Sequence, residues 1–173
     1  MVAEPLTGPA AVSPAALRSA LSHFAAGVTV VTTRWQGVAH AMTATAFCSV
    51  SLDPPLVLVC VGHASRFHAA VTAAGVWAVS MLAAGQEPLA RRFSRRGRDL
   101  LTQFDGVGTE PAPVSGAPIL TGALTWLDCR TVDQHVAGDH TVVVGEVLRV
   151  GDEEPLGAPL AYYRGNYHRL TDM

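Results

Sequence analysis

Lysine is absent from this chain: all twelve of its basic residues are arginine. Charge of either sign is scarce, at 15% of residues, and a net charge of −2 gives no general attraction to nucleic acid or anionic membranes. The three cysteines, Cys48, Cys60 and Cys129, lie far apart and never form a CxxC pair. They suit neither a disulfide frame nor a zinc site and read as reduced, mostly buried thiols. No stretch approaches the ~20 apolar residues of a membrane span. Met1–Ser13 also lacks the basic-then-apolar order of a secretory signal. The expectation is a cytoplasmic protein with no membrane and no nucleic-acid partner.

Signature motifs are missing as well. The histidines at 23, 40, 63, 68, 135, 140 and 168 include no HExxH and no His/Cys spacing that would hold a metal, so no metal is expected. No GxSxG elbow is present, and no Walker A loop. Gly106-Val107-Gly108 lacks a third glycine and neighbours prolines instead of a helix, which rejects a dinucleotide fingerprint. Any nucleotide bound here is held without the familiar glycine-rich loops.

What is present is apolar. The chain has 173 residues, 49% of them hydrophobic. That fits one domain able to bury roughly two-thirds of its unfolded surface. Residues 1–12, rich in Pro, Ala and Gly, read as a flexible tail, and 13–173 as a single domain. Ser13-Pro14 supplies an N-cap with proline at the first helical position, and Leu17, Leu21 and Phe24 make one stripe, which predicts a helix over 14–25 stopped by Gly27.

Strand signals follow. The β-branched runs 28–33 and 38–45 flank Arg34-Trp35-Gln36-Gly37 and predict a hairpin. Residues 47–52 alternate, Asp53-Pro54-Pro55 breaks, and 56–61 is a continuous apolar run fitting a strand buried on both faces. Helices are expected over 65–74, ended by Gly75, and over 87–96, with a strand at 76–81 between them. A long loop over 105–118 precedes strands at 119–127, 129–135, 140–150 and 160–163. About eight strands and three short helices in a mostly antiparallel order make a mainly β protein. A closed or split barrel with helices at its rim is the economical architecture.

Several constellations carry chemistry, each beside a plainer reading. Arg91, Arg92, Arg95, Arg96 and Arg98 make a solvated helix face or supply a fork to a ligand phosphate. Thr43-Ala44-Thr45-Ala46-Phe47-Cys48-Ser49 is a threonine-rich strand, or a segment whose small side chains let a flat ring approach the backbone. Gly138-Asp139-His140 places an imidazole at a strand start on the barrel rim, where histidines are structural or functional. Tyr162, Tyr163, Arg164, Tyr167 and His168 pack together or form part of a site.

The order of these segments is more specific than any one of them. The series Phe24-Ala25-Ala26-Gly27-Val28-Thr29-Val30-Val31-Thr32-Thr33, then residues 42–60 from Met42 through Asp53-Pro54-Pro55 to Cys60, closely resembles the short-chain flavin reductases. Gly138-Asp139-His140 and Gly145-Glu146-Val147 belong to the same pattern, and the resemblance runs from about Leu17 to Leu170. It implies a homodimeric split β-barrel of the FMN-binding type with short peripheral helices. It also implies an NAD(P)H-dependent flavin reductase whose reduced FAD or FMN supplies a separate monooxygenase by diffusion, with FAD and NADH the preferred pair.

By the same resemblance, Thr43, Ala44, Thr45, Ala46, Ser49 and Val50 line the isoalloxazine and ribityl chain. Cys60, Val61, Gly62, Ala64, Ser65, Arg66 and Phe67 continue that wall, with Ser65 and Arg66 near the phosphate and Arg92 with Phe93 closing over it. His140, the catalytic candidate, stands where the nicotinamide docks, and Tyr163 and Arg164 are further candidates. Members of the family often carry Asn or Ser where this chain has Thr45 and Ala46, which leaves backbone contacts to replace a side-chain hydrogen bond. Hydride transfer from nicotinamide to flavin needs no nucleophile and no metal, because the cofactors carry the reactivity. The protein has to stack two rings with reacting atoms roughly 3–3.5 Å apart and aim N–H groups at the charge that develops. A flavin-binding barrel without nicotinamide turnover is the alternative, and an interaction scaffold is the third class.

Overall fold

The computed structural model describes residues 11–151 and 157–170; the first ten residues of the expected tail lie outside them. Helix α1, Pro14–Leu21, starts as anticipated, with the Ser13 Oγ accepting from the Ala16 N–H at 3.2 Å. It ends four residues short of the predicted boundary, Ser22 serving as its C-cap. Gly27, expected as the stop signal, instead belongs to the short strand β1 (Ala26–Gly27).

Strands β2 (Thr29–Trp35) and β3 (Val38–Ala44) form the expected hairpin. Its two turn residues, Gln36 and Gly37, have φ of 50° and 78°, the left-handed pair that matches the twist of a two-residue turn. Strands β4 (Phe47–Leu52) and β5 (Pro55–Gly62) follow, then α2 (Arg66–Ala74), capped by the Ser65 Oγ at its start and by left-handed Gly75 at its end. Strand β6 (Val76–Met81), helix α3 (Glu87–Ser94), β7 (Thr109–Pro111) and β8 (Pro118–Leu120) come next. The chain closes with β9 (Thr125–Ala137), β10 (His140–Gly151), β11 (Leu160–Tyr163) and β12 (Asn166–Arg169).

Seven strands make one antiparallel sheet in the order β3-β2-β6-β9-β10-β5-β4. The chain passes directly from β3 to β4, yet these two strands stand at opposite ends of the hydrogen-bonded order, so the barrel is split between them. A three-stranded sheet, β1-β11-β12, and the β7–β8 pair complete the β structure. No described helix is long and apolar enough to cross a membrane.

Three expectations are corrected. The predicted strands at 119–127 and 129–135 are instead β8 and one long strand, β9. Asp128, which falls between the two predicted strands, sits fully buried inside β9, where its carboxylate accepts the Val114 and Ser115 backbone N–H groups, at 2.7 and 3.2 Å. The loop over 105–118 contains strand β7, which folds back on β8. Strand β5 is not buried on both faces: Val57, Val59 and Val61 enter the core while Leu58 and Cys60 stay half-buried.

The core divides across the sheet. One cluster gathers Val31, Val59, Val61, Val71, Trp77, Cys129 and Val143 inside the barrel. A second joins Val30, Leu82, Ala90, Phe93 and Leu160 on the other face of β2, which is therefore the strand buried on both sides. Its threonines are tolerated there because Thr32 Oγ1 donates to Pro118 O and Thr33 Oγ1 to Val76 O, each at 2.6 Å.

Candidate functional site

The register of β5, β10 and the start of α2 sets up the site. His140 pairs directly with Gly62 at the end of the β5–β10 ladder, so the first residue after the Gly138-Asp139 turn lies beside the loop that opens α2. Two further contacts fix this corner: the His63 N–H donates to Asp139 O at 2.9 Å, and Asp139 Oδ1 faces His140 Nδ1 at 2.7 Å. The hydrogen bond from His140 holds the Asp139 carboxyl below the usual carboxylate range. It also leaves the opposite ring nitrogen, Nε2, directed over Gly62, where a side chain would begin 3.3 Å away.

From this corner a cavity of about 710 Å³ runs beneath α2 to the residues that follow α3. Its imidazole end holds Gly62, His63, Asp139 and His140; its cationic end holds Arg66, Arg95, Arg96 and Arg98. The floor is β3, whose Thr43 Oγ1 donates to Ala90 O at 2.7 Å and so ties α3 to the sheet edge. Arg66 donates to Arg98 O, Arg92 to Thr102 O at 3.2 Å and Arg98 to Ala41 O at 2.8 Å. Burial, then the charges of Arg66 and Arg92, pull the Arg98 guanidinium below its usual value. Burial, then Arg66, does the same to the His40 imidazole.

Of the residues anticipated from sequence, the structure brings Thr43, Gly62, Ala64, Ser65, Arg66, Phe67, Phe93 and His140 to this one cavity. The others disperse. Ala44 and Val61 point into the core, because a strand sends alternate side chains to opposite faces. Thr45 lines a neighbouring groove of about 410 Å³ with Tyr162 and Tyr167. Thr45, Ala46 and Arg164 line a third, against α1. Ser49 and Val50 are exposed on β4, Cys60 is half-buried on β5, and Arg92 bonds the loop beyond α3. Tyr163 lies under Arg164, whose Nη2 meets His23 Nε2 at 2.9 Å.

Arg95, Arg96 and Arg98, named only within the arginine group, also line the cavity, as do Asp139, His63 and His40, to which the sequence assigned no site role. Asp139 was signalled by its place in Gly138-Asp139-His140. His40 carried no signal, since nothing in a strand pattern says that its side chain turns inward. Among the described residues no three His, Cys, Asp or Glu side chains gather as a metal site.

Residues 21–171 match the family model described as "Flavin reductase like domain". The chain belongs to the flavin reductase family. The FMN reductase (NADH) SmoA of Agrobacterium fabrum is 41% identical over 154 residues, covering 89% of this chain and 84% of that protein. Among solved structures, BorF, the flavin reductase component of a bacterial two-component tryptophan halogenase, superposes with a TM-score of 0.87 at 40% identity, covering 93% of this chain and all of that one. The NADH:FAD oxidoreductase SgcE6 of Streptomyces globisporus, in complex with NAD and FAD fragments, gives 0.85 at 39% identity, covering 94% and 97%.

The cavity of this flavin reductase suits its family's cofactor. It has the volume of a small-molecule site. One end presents arginines and the Ser65-capped start of α2, which favour a phosphate. The other presents the His140 imidazole, oriented by Asp139.

Proposed function

We propose that the chain is an NADH-dependent flavin reductase that releases reduced FAD or FMN for a separate monooxygenase. The single observation that carries this reading is the cavity joining a cationic end at Arg66 to an imidazole end at His140. A bound flavin would supply the hydride acceptor; the residues supply position and charge. Ser65 and Arg66 hold the phosphate, Thr43 and Gly62 line the wall, and His140, steadied by Asp139, receives the nicotinamide. Ser49, Val50 and Cys60 extend the wall along β4 and β5.

In our reading residues 13–173 act as one domain, and the active form is a homodimer. Supporting this, α1 buries none of its residues, and Leu17, Leu21, Phe24, Val50 and Leu52 are all exposed in the single chain. Two separate apolar surfaces, one on α1 and one on the open edge strand β4, suit a second copy. The free thiols of Cys48, Cys60 and Cys129 fit a reducing cytoplasm.

Purified protein mixed with NADH and either flavin is expected to consume NADH only when flavin is present. The variant His140→Ala is expected to impair NADH use far more than flavin affinity; an equal loss of both would remove its assigned role.

A further inference from the structure

Beside the imidazole end of the cavity, two histidines converge on one buried hydroxyl. Thr141, the residue after His140, is only 4% exposed. Its Oγ1 lies 2.8 Å from Nε2 of His68 on α2 and 3.1 Å from Nε2 of His63, in the turn between β5 and α2. The two rings meet edge to face, with centroids 5.0 Å apart. A hydroxyl has one proton to donate and two lone pairs, so a single imidazole already satisfies it when buried. Half-buried His68, at the shorter distance, meets that need. The second contact does something else: it fixes the ring of His63.

His63 is the residue that needs fixing. It is exposed in a turn, and of the two histidines it alone lines the cavity, together with Gly62, Asp139 and His140. Its backbone is already tied down, the His63 N–H donating to Asp139 O and the Ser65 N–H to Gly62 O, each at 2.9 Å. With Nε2 engaged by Thr141, Nδ1 is the remaining ring nitrogen, and among the described residues it has no hydrogen-bond partner. Burial, then the charge of His63, holds the His68 imidazole below its usual value, so His68 serves as the neutral, buried end of the chain. An exposed side chain that is ordered before a ligand arrives no longer charges its lost freedom to binding.

We propose that Thr141 and His68 are positioning residues whose hydrogen-bonded chain, His68–Thr141–His63, holds the His63 imidazole as a second contact for NADH beside His140. This inference rests on the flavin reductase reading. Thr141 and His68 touch neither substrate; they act through His63.

The test is steady-state NADH oxidation at saturating flavin by wild type, Thr141→Val, Thr141→Ser, His63→Ala and the double variant His63→Ala/Thr141→Val. Losing the hold of one hydrogen bond should raise the KM for NADH about three- to tenfold in Thr141→Val. The kcat and the flavin affinity should move less than about twofold, as expected when only binding of one substrate is weakened. Thr141→Ser, which keeps the hydroxyl, should restore the wild-type KM. His63→Ala should raise KM at least as much as Thr141→Val, and the double variant no further, because residues acting through one contact are not additive. His68→Phe, which keeps a ring and removes Nε2, supplies the same comparison should Thr141→Val lose its melting transition. An unchanged KM in His63→Ala overturns the chain and leaves the flavin reductase reading intact. So does a double variant whose loss is the product of the two single losses, which would make Thr141 a packing residue alone. Wild type that oxidises no NADH with either flavin removes the flavin reductase reading and the proposal with it.

Discussion

Gly145→Ala is expected to destabilise the fold sharply, although the substitution adds one methyl group to a strand. A Cβ at this position of β10 would lie 2.4 Å from Cζ2 and 3.0 Å from Cε2 of Trp77, and 3.3 Å from the Cβ of Cys129. Carbon atoms in contact sit about 3.5–4.0 Å apart, so the indole would have to retreat by roughly 1 Å. It has nowhere to go, being fully buried and held by a 3.1 Å hydrogen bond from Nε1 to Thr131 Oγ1. Overpacking of this kind costs about 1–3 kcal/mol, and loss of the indole hydrogen bond about 1 more. A total near 3 kcal/mol lowers the melting temperature of a chain of this size by about 6–12 °C. Thermal unfolding followed by tryptophan fluorescence measures it. Trp77→Phe in the same background, with a smaller ring, should recover part of the loss. A Gly145→Ala protein that melts within about 2 °C of wild type would refute the packing argument.

Gly62→Ala would set a methyl 3.3 Å from His140 Nε2 and 3.7 Å from two ring carbons, over the face of the imidazole. It is expected to raise the KM for NADH roughly three- to tenfold at an unchanged melting temperature; an unchanged KM would argue against His140 as the nicotinamide contact. Asp128→Ala strips the acceptor from the Val114 and Ser115 N–H groups and should cost about 3 kcal/mol in urea unfolding, with new proteolysis near residues 112–118. Burial pushes the Cys129 thiol up to about 12, so the unfolded chain, whose thiol titrates near about 8.5, releases its proton first. Stability from this group is complete below that lower value and declines as pH rises toward the upper one, and Cys129→Ala should flatten the alkaline decline.

Local chemistry made much of the fold readable in advance. The Gln36-Gly37 turn, the Ser13 and Ser65 caps and left-handed Gly75 each act within a few residues, so the elements they bound were placed well. What escaped depends on distant partners. Asp128 fell between two predicted strands, and the N–H groups that satisfy it come from another loop. The apolar run of β5 could not reveal that only one of its faces meets the core. The resemblance named a contiguous Thr43–Ala46 wall; strand alternation sends Ala44 into the core, while Thr43 and Thr45 share the neighbouring groove. The arginine group separates by three-dimensional context as well. Arg91 pairs with Glu87 one turn away at 2.7 Å, while Arg98 folds inward from a coil that has no periodicity to read.

The most direct test of the central claim is NADH consumption by the purified full chain, with and without added flavin. The account predicts negligible turnover without flavin and sustained, stoichiometric NADH oxidation as FAD or FMN is supplied, with reduced flavin passed to an acceptor in solution. Stable flavin binding without any loss of NADH would contradict it, leaving a flavin-binding barrel that does not turn over nicotinamide.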